Sequence, residues 1–124
     1  MDCIFCKIAN KEIPSNILYE DEKTMVIMDV NPTVDGHVLV IPKKHYTDFT
    51  ELDEATLTHI FQVAKKMTPL LMEKLNAHSV TLLINYGEDQ KVKHFHLHLL
   101  PNFGVFPISR ATQLVSTTFQ NLSN

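Results

Sequence analysis

Apolar residues along this chain recur with two different periods, and the order of those periods predicts the architecture. Between about positions 53 and 75, Leu57, Ile60, Phe61, Ala64, Met67, Leu70, Leu71 and Leu75 follow three- and four-residue steps, which gathers them on one stripe of a helix. This is the one long helix, and Pro69 inside it predicts a bend, because proline offers no N–H to the preceding turn. Met67 and Met72 lie among these leucines as adaptable core filler. Ahead of the helix, the runs 17–20, 25–30 and 37–42 are rich in Ile, Leu and Val and are separated by charged residues and by Asn31-Pro32-Thr33-Val34-Asp35-Gly36, a pattern that predicts an antiparallel meander. Ile4, Phe5 and Ile8 have helical spacing and predict a short N-terminal helix or turn, stopped before Pro14. After the long helix, residues 80–85 predict a strand, 86–90 a turn, and 93–101 a further strand. Leu114, Val115, Phe119 and Leu122 suggest a short helix in the tail.

That last strand carries the chemistry. His94, His96 and His98 alternate with Phe95, Leu97 and Leu99, so an extended backbone turns three imidazoles to one face and three apolar side chains into the core. A buried layer of imidazoles with unmet ring nitrogens would cost roughly 1–3 kcal/mol for each, so a purely structural role is disfavoured. A metal cluster, or a nucleophile with supporting groups, remains. One ion cannot take all three, since the outer two are separated by roughly 13–14 Å along a strand. His59, on the polar side of the long helix, and His78, just past its end where a cation meets exposed carbonyls, need no catalytic role.

At 124 residues the chain fits one domain, with a core at 1–105 and a tail at 106–124. No apolar run approaches the length of a membrane span. A formal net charge of −3 leaves no basic footprint for extended nucleic-acid binding, while small anionic ligands stay open. The start, Met-Asp-Cys-Ile-Phe-Cys-Lys, lacks the basic and apolar regions of a signal peptide, so a cytoplasmic location with reduced cysteines is expected. Cys3 and Cys6 are spaced Cys-x-x-Cys, a pattern open by itself to redox, metal or packing roles.

The segment His94-Phe95-His96-Leu97-His98-Leu99-Leu100 resembles the signature of the histidine triad (HIT) superfamily. Further matches in family order are Cys3-Ile4-Phe5-Cys6-Lys7-Ile8, Asp29-Val30-Asn31-Pro32, the run from Gly36 to His45, and Asn85-Tyr86-Gly87. The chain is most similar to the bacterial Hint-like branch of purine nucleotide hydrolases with a Cys-x-x-Cys start. The resemblance implies an α+β fold, with a five-stranded antiparallel sheet, one long helix and a short N-terminal helix, paired into a homodimer with a continuous sheet. It also implies attack by His96 on the α-phosphorus of a purine nucleotide, such as an AMP conjugate, to give a covalent nucleotidyl-histidine that water hydrolyses. A neutral imidazole is nucleophilic near pH 7 and able to leave again. Its other nitrogen should keep a proton and donate it to a carbonyl, for which the backbone of the His94 strand is available.

By the same resemblance His98 donates to a phosphate oxygen or protonates the leaving group, and His37 is a fourth, supporting histidine. Asp29 anchors the ribose, Ile4, Phe5, Ile8, Ile27 and Val30 form the purine slot, and Asn85 and Gln90 sit near ribose and phosphates. The loop departs from the family pattern of a longer Gly-Gln stretch followed by a small hydroxyl residue: here it is shortened to Gly87-Glu88-Asp89-Gln90-Lys91, where Asp89 brings negative charge toward a phosphate and Lys91 offsets it or meets a polyphosphate tail. Some bacterial relatives hold zinc with Cys3, Cys6, His45 and His94. A Cys2His2 set of this kind is closed and structural, so that no cofactor is required for the chemistry and His94 serves orientation. Adenosine phosphoramidates are the leading substrate class. Dinucleoside polyphosphate hydrolysis and a non-catalytic nucleotide sensor or adaptor are the alternatives.

Overall fold

The structure, a computed structural model, describes residues 3–103. The tail helix expected at 114–122 and the division at 105/106 lie outside the described residues.

The short helix α1 (Ile4–Ala9) begins at Cys3, whose sulfur accepts the Cys6 N–H at 3.2 Å in the manner of an N-cap. The meander follows as β1 (Ile17–Glu20), β2 (Thr24–Met28) and β3 (Val38–Pro42), joined antiparallel in that order. A 3-10 turn at Phe49–Glu51 leads into α2 (Glu54–Leu75). Asp53 caps α2 by accepting the Thr56 N–H at 2.7 Å, and Asn76 closes it in the left-handed conformation, φ 50°. The helix runs on through Pro69 to Leu75. Strands β4 (Val80–Leu83) and β5 (Leu97–Pro101) complete a five-stranded sheet of order β1-β2-β3-β5-β4, with every pairing antiparallel. This is the α+β fold expected from the sequence. No helix among the described residues is long and apolar enough to cross a membrane.

Period-two alternation in the central strands feeds two cores. Val26, Val38, Val40, Leu97 and Leu99 face α2 and pack with Ile60, Val63, Ala64, Met67 and Leu71. Met25, Ile27, Leu39 and Ile41 face the other way and pack with Cys3, Phe5 and Ile8 around α1. The sheet is therefore buried on both faces in its middle, and α1 sits where the second face would otherwise meet water.

The histidine strand is shorter than its alternation predicts. Its ladder begins only at Leu97, because the Phe95 N–H donates instead to the Tyr46 carbonyl at 2.6 Å, which ties the segment to the loop after β3. Side chains alternate before the ladder starts: Phe95 joins Leu97 and Leu99 in the α2 core, while His94 and His96 lie against Phe5 of α1. Likewise β2 ends at Met28 and β4 at Leu83, so Asp29 and Asn85 stand just beyond strand ends, free to present polar side chains.

Candidate active site and metal cluster

A cleft of about 430 Å³ opens between α1 and the ends of β2, β3 and β5, a size suited to a small ligand. Its walls include Ile4, Phe5, Ile8, Ile27 and Val30, the five residues expected to form an apolar slot, together with Asp29, Asn85, His37, His96 and His98. Val30 stands at the rim, 82% exposed. Two expected residues are elsewhere. His94 is wholly buried behind the cleft. Gln90 is also buried, and its amide donates to the carbonyls of Thr47 (2.6 Å) and Val92 (2.9 Å), so it braces the loop where Asp89 and Lys91 line the cleft. A larger groove of about 630 Å³ lies alongside, but it contains neither His96 nor His98; the imidazoles, not the volume, mark the site.

Hydrogen bonds fix the proton on each ring. The His96 Nδ1 is 2.8 Å from the His94 carbonyl, which only accepts, so Nδ1 carries the proton and Nε2 keeps its lone pair. His96 lines the cleft and packs edge-on against Phe5 and His98, with ring centroids 5.0 and 4.8 Å apart. The Thr33 N–H, which only donates, points at His37 Nδ1 from 3.1 Å. The His37 proton is therefore on Nε2, which donates to His98 Nδ1 at 2.9 Å and leaves His98 protonated on Nε2. That Nε2–H is buried, with no acceptor among the described residues. Asp29, His37 and His98 are close enough to resemble a cation site, but a cation on His37 Nε2 would move the proton to Nδ1 and set it against the Thr33 N–H. The trio is better suited to hydrogen bonding than to ligation.

Burial keeps the rings neutral. It lowers His98 to about 4, helped by His96 and His37 and opposed by Asp29. Burial also lowers His96, against the favourable His94 carbonyl and Asp29, and lowers His37, against the Asp29 carboxylate. Asp29 itself accepts the Asn31 N–H at 2.9 Å and has its other oxygen 3.6 Å from His37 Nε2.

Behind the cleft, Cys3, Cys6, His45 and His94 come together with their four ligand atoms within 4.8 Å of one another. Cys3 Sγ is 3.3 Å and Cys6 Sγ 3.4 Å from His94 Nδ1, and Cys6 Sγ is 3.2 Å from His45 Nδ1. The His94 Nε2–H donates to the Pro42 carbonyl at 2.8 Å, which leaves the Nδ1 lone pair aimed at the sulfurs. Burial, and then the neighbouring Cys3, push the Cys6 thiol up to about 11. Two crowded sulfurs, the His94 lone pair and the His45 Nδ1 beside them form a donor set that a metal ion satisfies.

The resemblance also missed a contributor. Thr33 acts through its backbone N–H, which no side-chain pattern could reveal. By contrast His59, read as outside the chemistry, pairs with Asp21 at 2.8 Å and pins α2 to the β1–β2 turn.

Fold and site together define an α+β domain that holds a neutral, proton-fixed imidazole in a half-open cleft backed by a Cys2His2 cluster. The family model of the HIT domain matches residues 10–105. A HIT-like protein of Methanocaldococcus jannaschii is 41% identical over 103 residues, 82% of this chain and 79% of that protein. The adenosine 5'-monophosphoramidase HNT1 of Saccharomyces cerevisiae is 39% identical over 101 residues, 80% of this chain and 61% of the yeast protein. The crystal structure of a Zn-bound histidine triad family protein from Mycobacterium smegmatis superimposes with a TM-score of 0.79 at 34% identity, covering 86% of this chain and 79% of that one. The chain belongs to the HIT family.

Proposed function

We propose that this protein is a nucleotide hydrolase that cleaves at the α-phosphorus of purine nucleoside phosphoramidates or related AMP conjugates through a covalent nucleotidyl-histidine on His96. One observation carries the reading: the His94 carbonyl holds the proton on His96 Nδ1, so the Nε2 lone pair belongs to the cleft wall. As Nε2 bonds to phosphorus, the bond to the leaving group breaks with its electron pair, and the imidazolium charge that develops is met by the same carbonyl. Water then attacks the phosphorus, the P–N bond breaks with its electron pair returning to Nε2, and the proton lost by the water passes to solvent, which leaves the nucleotide and neutral His96. Asp29 accepts the ribose hydroxyls, Asn85 donates toward phosphate, and the apolar slot of Ile4, Phe5, Ile8, Ile27 and Val30 takes the purine. His98 and His37 complete the machinery, and His94 supports it through its carbonyl. Gln90 enters as the brace that shapes the loop. The yeast phosphoramidase supports the substrate class. Replacing His96 with Ala should lower turnover of an adenosine phosphoramidate at least a thousandfold; full turnover would refute the mechanism.

The metal is proposed to be zinc, held by Cys3, Cys6, His45 and His94, with the Zn-bound mycobacterial relative in support. When bound it neutralises the two sulfurs and fixes α1 to the sheet; it supplies no chemistry in the cleft. A cytoplasmic homodimer is part of the same proposal. Among the described residues strand β4 pairs with β5 alone and exposes Leu82, an edge that a second copy can cover.

Hydrolysis of dinucleoside polyphosphates is the second reading, favoured by Lys91 on the cleft wall beside Asp89. A lysine there meets a polyphosphate better than it meets a neutral amine. Rates on both substrate types, measured side by side, separate the two.

A further inference from the structure

We propose that His98 is a fixed, neutral hydrogen-bond donor to a phosphoryl oxygen and not the acid that protonates the leaving group, a role set from a distance by the backbone N–H of Thr33. The inference rests on the hydrolase reading above and assigns the charge state and partner of one of its residues.

The argument is a count of protons along four nitrogens. A backbone N–H faces His37 Nδ1 at 3.1 Å, so that nitrogen holds a lone pair and no proton. His37 Nε2 and His98 Nδ1 face each other at 2.9 Å, and only one proton fits between them. With Nδ1 bare, His37 must own that proton, since otherwise it would be an imidazolate. His98 Nδ1 is then an acceptor, and the remaining His98 proton is on Nε2, where no atom among the described residues accepts it. Adding a proton to the pair would require placing it on His37 Nδ1, against the Thr33 N–H. The Asp29 carboxylate, 3.6 Å from His37 Nε2, would welcome positive charge on that ring, yet the Thr33 contact and burial of His37, 3% exposed, both oppose it.

A neutral imidazole that gave up Nε2–H would itself become an imidazolate, so His98 cannot serve as a proton source. It can stabilise negative charge on a non-bridging phosphoryl oxygen, as preorganised neutral donors do. Leaving groups must then depart without a proton from His98. They must carry their own, as a phosphoramidate protonated on nitrogen does, or be stable anions such as carboxylates and phosphates. Simple alkyl esters of AMP, which would leave as alkoxides, should be inert. Thr33 is a positioning residue: its backbone N–H acts through His37.

Two measurements test this in the full chain. Two-bond 1H–15N correlation spectra of histidine-labelled protein at pH 7, without substrate, should show His37 and His98 as neutral Nε2–H tautomers and His96 as Nδ1–H. A doubly protonated His98, or a proton on its Nδ1, would overturn the proposal whether or not the protein is a hydrolase. Next, His98→Gln and His98→Ala are compared on aryl esters of AMP whose phenols span about three pH units in acidity. Gln supplies an N–H with no acidic proton, so His98→Gln should stay within about tenfold of wild type, at a constant ratio across the series, while His98→Ala falls about a hundredfold. A loss in His98→Gln that grows as the phenol becomes a poorer leaving group would show that His98 is the acid. Loss of all turnover in His96→Ala, with either outcome at His98, keeps the two readings separate.

Discussion

Asp21 anchors the β1–β2 turn to the long helix, and neutralising it should destabilise the fold by an amount that depends on pH. Its Oδ1 accepts the N–H groups of Lys23 (2.9 Å) and Thr24 (2.8 Å), and its Oδ2 accepts from Tyr19 Oη and His59 Nε2, each at 2.8 Å. Burial alone would raise the carboxyl, but these four donors outweigh it and hold the group at about 2, against an ordinary 3.8. At about 1.4 kcal/mol for each pH unit, that difference amounts to about 2 kcal/mol. Because the folded value lies below the unfolded one, the stabilisation is fully present above pH 3.8 and is lost as pH falls toward 2. Asp21→Asn keeps the shape and removes the charge. Urea unfolding of both proteins should give a difference near 2 kcal/mol at pH 7 that shrinks through pH 3 and nearly vanishes at pH 2. Burial also lowers His98 to about 4, so the unfolded chain takes up a proton first between pH 6.5 and 4 and stability falls in that window too. That loss is common to both proteins and cancels in the difference. A difference that stays constant from pH 7 to pH 2 would show that the charge on Asp21 contributes nothing.

The Cys3→Ser/Cys6→Ser double variant should purify without zinc where the wild type carries about one per chain, and should melt several degrees lower; wild type lacking zinc by elemental analysis, or equal zinc in both, would remove the structural site. Gly36 has φ +80°, and a Cβ there would run into the Leu75 side chain and crowd Pro101, so Gly36→Ala should cost at least about 1–2 kcal/mol by denaturant titration; an unchanged midpoint would contradict the packing of the β3 entry against α2. Asp29→Asn can still accept the Asn31 N–H but offers the ribose one acceptor fewer and no charge. Calorimetry should show AMP affinity reduced about tenfold with the melting temperature nearly unchanged, and unaltered affinity would remove Asp29 from the ribose.

Elements with a clear period were legible from the sequence. The helix α2 runs through Pro69 as its period predicts, held to the sheet by Ile60, Ala64, Met67 and Leu71 of the expected stripe, but Phe61, Leu70 and Leu75 of that stripe are exposed and Val63, outside it, is buried instead. Alternation at 94–99 correctly separated imidazoles from core, but it overstated the ladder, because side-chain direction and backbone pairing are different properties and Tyr46 takes the Phe95 N–H. Cys3, Cys6, His45 and His94 are scattered over 91 positions, so no local spacing could assemble them; the resemblance named the set, and the fold brings its atoms together. Gln90 shows the limit of position-by-position transfer. In this shortened loop its amide is taken by two carbonyls, and Lys91 beside it reaches the cleft. Thr33 was invisible because every non-proline residue has the same N–H, and only its distance from His37 gives it a role.

The central claim is that the middle imidazole of the row becomes bonded to phosphorus. Wild-type protein is mixed with an adenosine phosphoramidate, quenched within milliseconds to seconds in denaturant at alkaline pH, and analysed intact and after digestion by mass spectrometry. The predicted result is a gain of one adenylyl group, located on the peptide containing His96 and absent from His96→Ala. Steady turnover with no adduct at any time, or an adduct that persists in His96→Ala, would contradict it.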